Sequence, residues 1–143
     1  MKGSAMIDEF EELVSEATTN GIRVRVSSDY LEDESEPESG RFFWAYTVRI
    51  DNDSPQAVTL RRRTWHIADA MGQSFTVEGE GVVGEQPILH PGDAYEYTSA
   101  TPLSAPSGMM FGAYEMNSED GHTFLATIPP FSLDSPYDSR RMS

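Results

Sequence analysis

Between Phe42 and Ile50 the chain reads FFWAYTVRI, and no other stretch constrains the fold as tightly. Side chains of an extended strand alternate between its two faces. Phe42, Trp44, Tyr46, Val48 and Ile50 therefore share one face, and Phe43, Ala45, Thr47 and Arg49 the other. Five large apolar residues in a row need an equally broad apolar surface opposite them, and a helix repeating every 3.6 residues would scatter them. The run predicts a long strand of a layered β domain.

The same period recurs along the chain. Ile22, Val24 and Val26 alternate with Arg23, Arg25 and Ser27. Val58 to Ala68 is read as a strand with Arg61, Arg63, Trp65 and Ile67 on one face and Leu60, Arg62, Thr64 and His66 on the other. Gln73–Val77, Ala94–Ala100, Met109–Met116 and His122–Ile128 complete the set, separated by turn sequences rich in Asp, Asn, Gly and Pro. Pro129-Pro130 is expected to end pairing, since neither residue has an N–H to donate. Asp29–Gly40 reads as an acidic loop, Phe131 and Leu133 as a tail tucked against the body, and Ser135–Ser143 as frayed. Seven or eight short strands of this kind predict an all-β antiparallel sandwich. One segment breaks the pattern: Ile7, Phe10, Leu13, Val14 and Ala17 fall at helical spacing over residues 7–19, and Asn20-Gly21 reads as the stop. The expected organisation is an acidic N-terminal helix or extension over 1–20, a sandwich over 21–134 and a flexible tail over 135–143.

Composition narrows the function classes. With 24 acidic residues against 10 basic ones the formal charge is −14, a field that opposes nucleic acid and anionic membranes. Cysteine is absent, which removes disulfides, thiolate metal sites and thiol catalysis. No stretch reaches the ~18 apolar residues of a membrane span and no signal peptide opens the chain, so a soluble cytoplasmic protein is expected.

Gly79, Gly81 and Gly84 stand in a G-x-G-x-x-G spacing. To hold a pyrophosphate in the usual way that motif must follow a parallel strand and open a helix. Here Pro87 and Pro91-Gly92 leave room for one turn at most, and Glu80 and Glu85 would stand beside the phosphate. The same glycines serve a strand end that needs positive φ or close backbone approach. An anion nest of backbone N–H groups stays open as a second use. Gly79, Gly81 and Gly84, with Arg63, are therefore the candidate ligand-binding set.

The stretch GEGVVGEQPILHPGDAYEYTS, preceded by RRRTWHIAD and FWAYTVRI and followed by SGMMFGAYEM and IPPF, resembles the ApaG family from about Ile22 to Phe131. The family's Arg-x-Trp-x-Ile falls on Arg63, Trp65 and Ile67, and its glycine hairpin on Gly79, Gly81, Val82, Val83, Gly84 and Pro87. Its Pro-Gly with Tyr-x-Tyr-x-Ser falls on Pro91, Gly92, Tyr95, Tyr97 and Ser99, and its later glycine-methionine strand on Gly108, Met110, Gly112, Tyr114 and Met116. The acidic N-terminal segment and Pro130 depart from the pattern. The resemblance implies an immunoglobulin- or fibronectin-III-like sandwich. It also implies a link to genes near diadenosine tetraphosphate hydrolase and to cobalt and magnesium efflux. In eukaryotes similar domains sit in F-box and polymerase-interacting proteins, which implies a protein-interaction module, and no catalytic residues are established to carry over.

The residues themselves offer little chemistry. His66, His90 and His122 have no ligand spacing, and the pairs His90/Asp93 and His122/Asp120 would make only weak metal sites. The expectation is a non-enzymatic binding module without a cofactor, its partner another protein, with a homo-oligomer as a further option. The alternative is a small-ligand module for a pyrophosphate-containing nucleotide or a divalent cation.

Overall fold

The structure is a computed structural model that describes residues 14–138. Nine strands are present among them: β1 (Ser15–Thr19), β2 (Ile22–Tyr30), β3 (Phe42–Asn52), β4 (Val58–Asp69), β5 (Ser74–Glu80), β6 (Ile88–Leu89), β7 (Ala94–Leu103), β8 (Gly108–Ser118) and β9 (Thr123–Leu133). One antiparallel sheet runs β1-β2-β3-β7 and the other β5-β4-β8-β9, with β6 added beside β4. Their inner faces form one core. The Phe42–Ile50 face lies buried as its alternation requires, and Leu60, Met110, Tyr114, Met116, Ile128 and Leu133 come from the opposite sheet. The Trp65 ring meets Tyr46 at 5.3 Å and Phe131 at 5.9 Å, both near edge-to-face, which ties the layers together.

The sandwich is closed along one side and open along the other. On the closed side β9 runs against β1 and β2, where the Thr127 N–H donates to Thr19 Oγ1 (3.1 Å) and Ser28 Oγ donates to the Ser132 carbonyl (2.8 Å). On the open side the edges are β7 and β5, each hydrogen-bonded to a single neighbouring strand.

Several expectations are corrected here. Residues 15–19 of the expected helix form strand β1, and residues 1–13 lie outside the described residues. Asn20 (φ 50°) and Gly21 (φ 80°) both adopt left-handed conformations, so Asn-Gly is the tight turn of a β1-β2 hairpin, not a helix stop. In β4 the register shifts between Leu60 and Arg62, and this bulge inverts the phase. Val58 and Leu60 point inward before it, Trp65 and Ile67 after it, so Leu60 shares the core face and Arg61 is exposed.

Pairing does not end at Pro129-Pro130. A second irregularity opposite Phe111 absorbs both prolines, and the ladder resumes with Met110 opposite Phe131. Phe131 and Leu133 are accordingly buried strand residues. In the segment read as a frayed tail, Ser135 is buried and its Oγ donates to the Pro106 carbonyl at 2.6 Å, while residues 139–143 lie outside the described residues.

Two polar clusters lock the turns and the outer face of the first sheet. Asn52 is fully buried and its amide donates to the carbonyls of Gln56 and Leu89 while its oxygen accepts from the Ser54 N–H and Oγ. Asp51 lies between Arg25, at 3.1 Å, and Arg49, at 3.2 Å. Burial alone would raise its carboxyl pKa, but the bonds from Arg49 and Arg25 outweigh that and lower it.

Candidate functional site

At the open side the two sheets leave a cleft of about 330 Å³, lined among others by Tyr46, Arg63, Trp65, Val77, Val82 and Tyr97. Its rim is the glycine hairpin that joins β5 to β6. Gly81 (φ 64°) turns the chain inward and Val82 follows, fully buried. Val83 (φ 40°) and Gly84 (φ 83°) then make a two-residue turn. Across it the Val82 N–H donates to the Glu85 carbonyl (2.7 Å) and the Glu85 N–H to the Val82 carbonyl (2.8 Å).

Each glycine has its own steric cause. A Cβ on Gly79 would stand 2.9 Å from Arg63 Nη1, so this glycine makes room for the guanidinium. A Cβ on Gly81 would meet the Glu85 carbonyl oxygen at 2.0 Å. Around Gly84 the space is open and only the left-handed conformation favours glycine. Arg63, inward-facing after the bulge, donates from Nη1 to the carbonyls of Glu80 (3.2 Å) and Gly81 (2.8 Å). The structure therefore brings Arg63, Gly79 and Gly81 into contact and leaves Gly84 at the tip. The N–H groups of Gly81, Val82 and Glu85 are already engaged with carbonyls, Gly81 through Arg61 at 2.8 Å.

Deeper in, the hydroxyls of Tyr97 and Tyr114 share a short hydrogen bond. Burial pushes both well above the usual phenol range. Tyr95, two residues before Tyr97 on β7, donates to Glu85 Oε1 at 2.8 Å and is pushed up to about 12 by burial and by that carboxylate. Trp65 is 3% exposed and its Nε1 has no hydrogen-bond partner among the described residues. Sequence reasoning placed none of Tyr46, Trp65, Tyr97 and Tyr114 in a site. All four are buried and belong to the core as well.

The other candidates lie apart from the cleft. Arg61 donates from Nε to Asn117 Oδ1 (2.7 Å), and Arg62 stands 3.9 Å from Glu78, so the arginine run splits three ways. His90 meets Asp93 through its backbone N–H (2.9 Å), which closes a turn. The His122 and Asp120 side chains stand 3.0 Å apart on an exposed turn, where Asp120 also accepts from Ser118 and Gln56. Hydrogen bonds from Ser118 and His122 hold its carboxyl well below the usual range. Among the described residues no group of three or more His, Asp or Glu is arranged to hold a metal, and no helix is long and apolar enough to cross a membrane.

Comparison with known proteins agrees with this architecture. The chain is 57% identical over 118 residues to Protein ApaG of Maricaulis maris, covering 82% of this chain and 91% of that one. It is 56% identical over 126 residues to Protein ApaG of Paramagnetospirillum magneticum, covering 88% and 97%. A solved structure from Bordetella pertussis superposes with a TM-score of 0.79 at 38% identity, over 82% of this chain and 95% of that one. The ApaG domain model matches residues 32–118, from the loop after β2 to the end of β8, and the chain belongs to the ApaG domain family.

Proposed function

We propose that the chain is a non-enzymatic binding module whose partner is another protein. One observation carries this reading. Among the described residues the exposed large apolar side chains Met71, Phe75, Val77, Val83, Ile88, Met109, Phe111 and Leu125 belong to the β5-β4-β8-β9 sheet or its connections, and Tyr137 alone lies elsewhere. On its outer face Phe111 stacks on His66 at 5.1 Å, with Met109 beside it and Leu125 one strand away. In so acidic a chain, apolar surface gathered on one layer serves contact with another folded surface or segment. Affinity capture from the native extract tests this, with a Phe111→Lys/Leu125→Lys variant in parallel. A partner retained by the parent chain and lost by the variant is expected; no specific partner for the parent chain removes the reading.

A second reading, a small-ligand module for a pyrophosphate-containing nucleotide or a divalent cation, is favoured by the place of Arg63 in the cleft beside the hairpin. Titrating pyrophosphate and ATP, with and without Mg²⁺, while following the amides of residues 79–84 decides it. Silence at millimolar ligand ends it.

A further inference from the structure

Strand β5 is the part of that apolar layer built to be covered. It is an edge strand, with β4 its sole partner among the described residues, so along its other side a row of N–H and C=O groups has no ladder there. Its inner-facing residues are set by the register: Phe75 opposite Ile67, Val77 opposite Trp65, Gly79 opposite Arg63. Phe75 and Val77 thus point toward the layer between the sheets, yet each is 45% exposed, because the opposite sheet ends at β7 and no strand among the described residues lies over them. The other open edge differs. On β7 the inner-facing Tyr97, Thr101 and Leu103 are buried and Tyr95 and Ser99 are half-buried, so a strand added there would cover little apolar surface.

We infer that an extended segment of the partner protein adds to the outer edge of β5, pairing main chain to main chain and seating alternate apolar side chains against Phe75 and Val77 at the mouth of the cleft. This rests on the proposal of a protein partner and specifies its surface and chemistry. The outer face of β5 carries Ser74, Thr76, Glu78 and Glu80, in an arrangement where residues two apart lie on one face. Arg62 answers these acids from the β4 side, opposite Glu80 and 3.9 Å from Glu78. On the open side no cation among the described residues pairs with them. Cross-strand neighbours of opposite charge are favoured and like charges opposed. The incoming strand therefore alternates branched apolar residues, facing in, with Lys or Arg, facing out. A second copy of this chain fits poorly, since its own β5 would set two more glutamates against Glu78 and Glu80 in a molecule of charge −14.

Isotope-labelled full-length chain titrated with a synthetic peptide alternating Lys and Val, about as long as β5, tests the inference; a peptide alternating Glu and Val is the control. Saturable amide shifts over residues 74–80 and at the Trp65 indole are expected, with affinity for the Glu/Val peptide weaker by roughly tenfold or more. Val77→Lys should weaken the Lys/Val peptide, and Glu78→Lys/Glu80→Lys should reverse the preference between the two peptides. Shifts confined to β7 or to the loops, or equal affinity for both peptides, overturn it. Concentration-dependent shifts of β5 without peptide also overturn it, by making a second copy the occupant. The two proposals fail separately. A captured partner lost with Phe111→Lys/Leu125→Lys but kept with Val77→Lys removes the β5 docking alone, while the absence of any captured partner removes the module reading.

Discussion

Replacing Gly81 by alanine sets a side chain where the hairpin has no space for one. The left-handed backbone at φ 64° costs an L-residue about 1 kcal/mol. The new Cβ would stand 2.0 Å from the Glu85 carbonyl oxygen, a backbone atom that cannot swing aside. Relief requires the Val82–Glu85 pair to open, losing two hydrogen bonds of roughly 1 kcal/mol each and part of the ~1.5 kcal/mol from burying Val82. The expected total is about 3–5 kcal/mol. Gly84→Ala in the same loop meets nothing within 4 Å and incurs the backbone term alone, about 1 kcal/mol. Urea unfolding followed by tryptophan fluorescence reads both. With a slope of about 2 kcal/mol per molar, the midpoint falls by roughly 2 M for Gly81→Ala and about 0.5 M for Gly84→Ala. Equal midpoints for the two variants, or a cost below 1 kcal/mol at Gly81, would refute the steric account of the motif.

Two further outcomes follow from the polar clusters. Asp51→Asn removes charged hydrogen bonds to Arg25 and Arg49 and should cost about 1–2 kcal/mol at neutral pH, allowing for the partly exposed arginines. Because the folded carboxyl titrates below its unfolded value of 3.8, its contribution is present above that pH and is lost as pH falls through the folded value. The gap between parent and variant should therefore close below about pH 4 in a pH series of urea melts, and a gap that persists there contradicts the linkage. In the core, Tyr97→Phe or Tyr114→Phe leaves the other hydroxyl buried without its partner and should cost about 1–2 kcal/mol; the double variant should cost less than the sum by about 1 kcal/mol, and additive thermal or urea melts would exclude the coupling.

The strands were legible wherever one face of a single strand met the core. Phe42–Ile50 and Ile22–Val26 needed only the period of two, and the structure buries those faces. Segments decided by their neighbours were not. Residues 15–19 carry few apolar side chains, and Asn20-Gly21 serves a helix stop and a hairpin turn equally well, so pairing with β2 settles the choice. The bulge at Arg61 and the irregularity that absorbs Pro129-Pro130 depend on the register with β8, which a local pattern does not contain. The glycine spacing was plain in the sequence, but its three separate causes lie in Arg63, Glu85 and a backbone angle. The cleft and the uncovered β5 edge arise because the two sheets end at different strands, a property of the pair of layers that no strand records by itself.

The extra residue at Arg61 also sets a rule of parity on the chain. Upstream of it the core is addressed by even-numbered residues, Val58 and Leu60, and downstream by odd-numbered ones, Trp65 and Ile67. Deleting Arg61 would set Arg62 directly after Leu60, as Glu115 and Met116 are adjacent on β8, and would restore a regular ladder with Arg63, Trp65 and Ile67 still facing inward. The strand can therefore lose that one residue without turning its core face outward, and the bulge works as a one-residue phase shifter between the half that holds β6 and the half that holds the glycine hairpin.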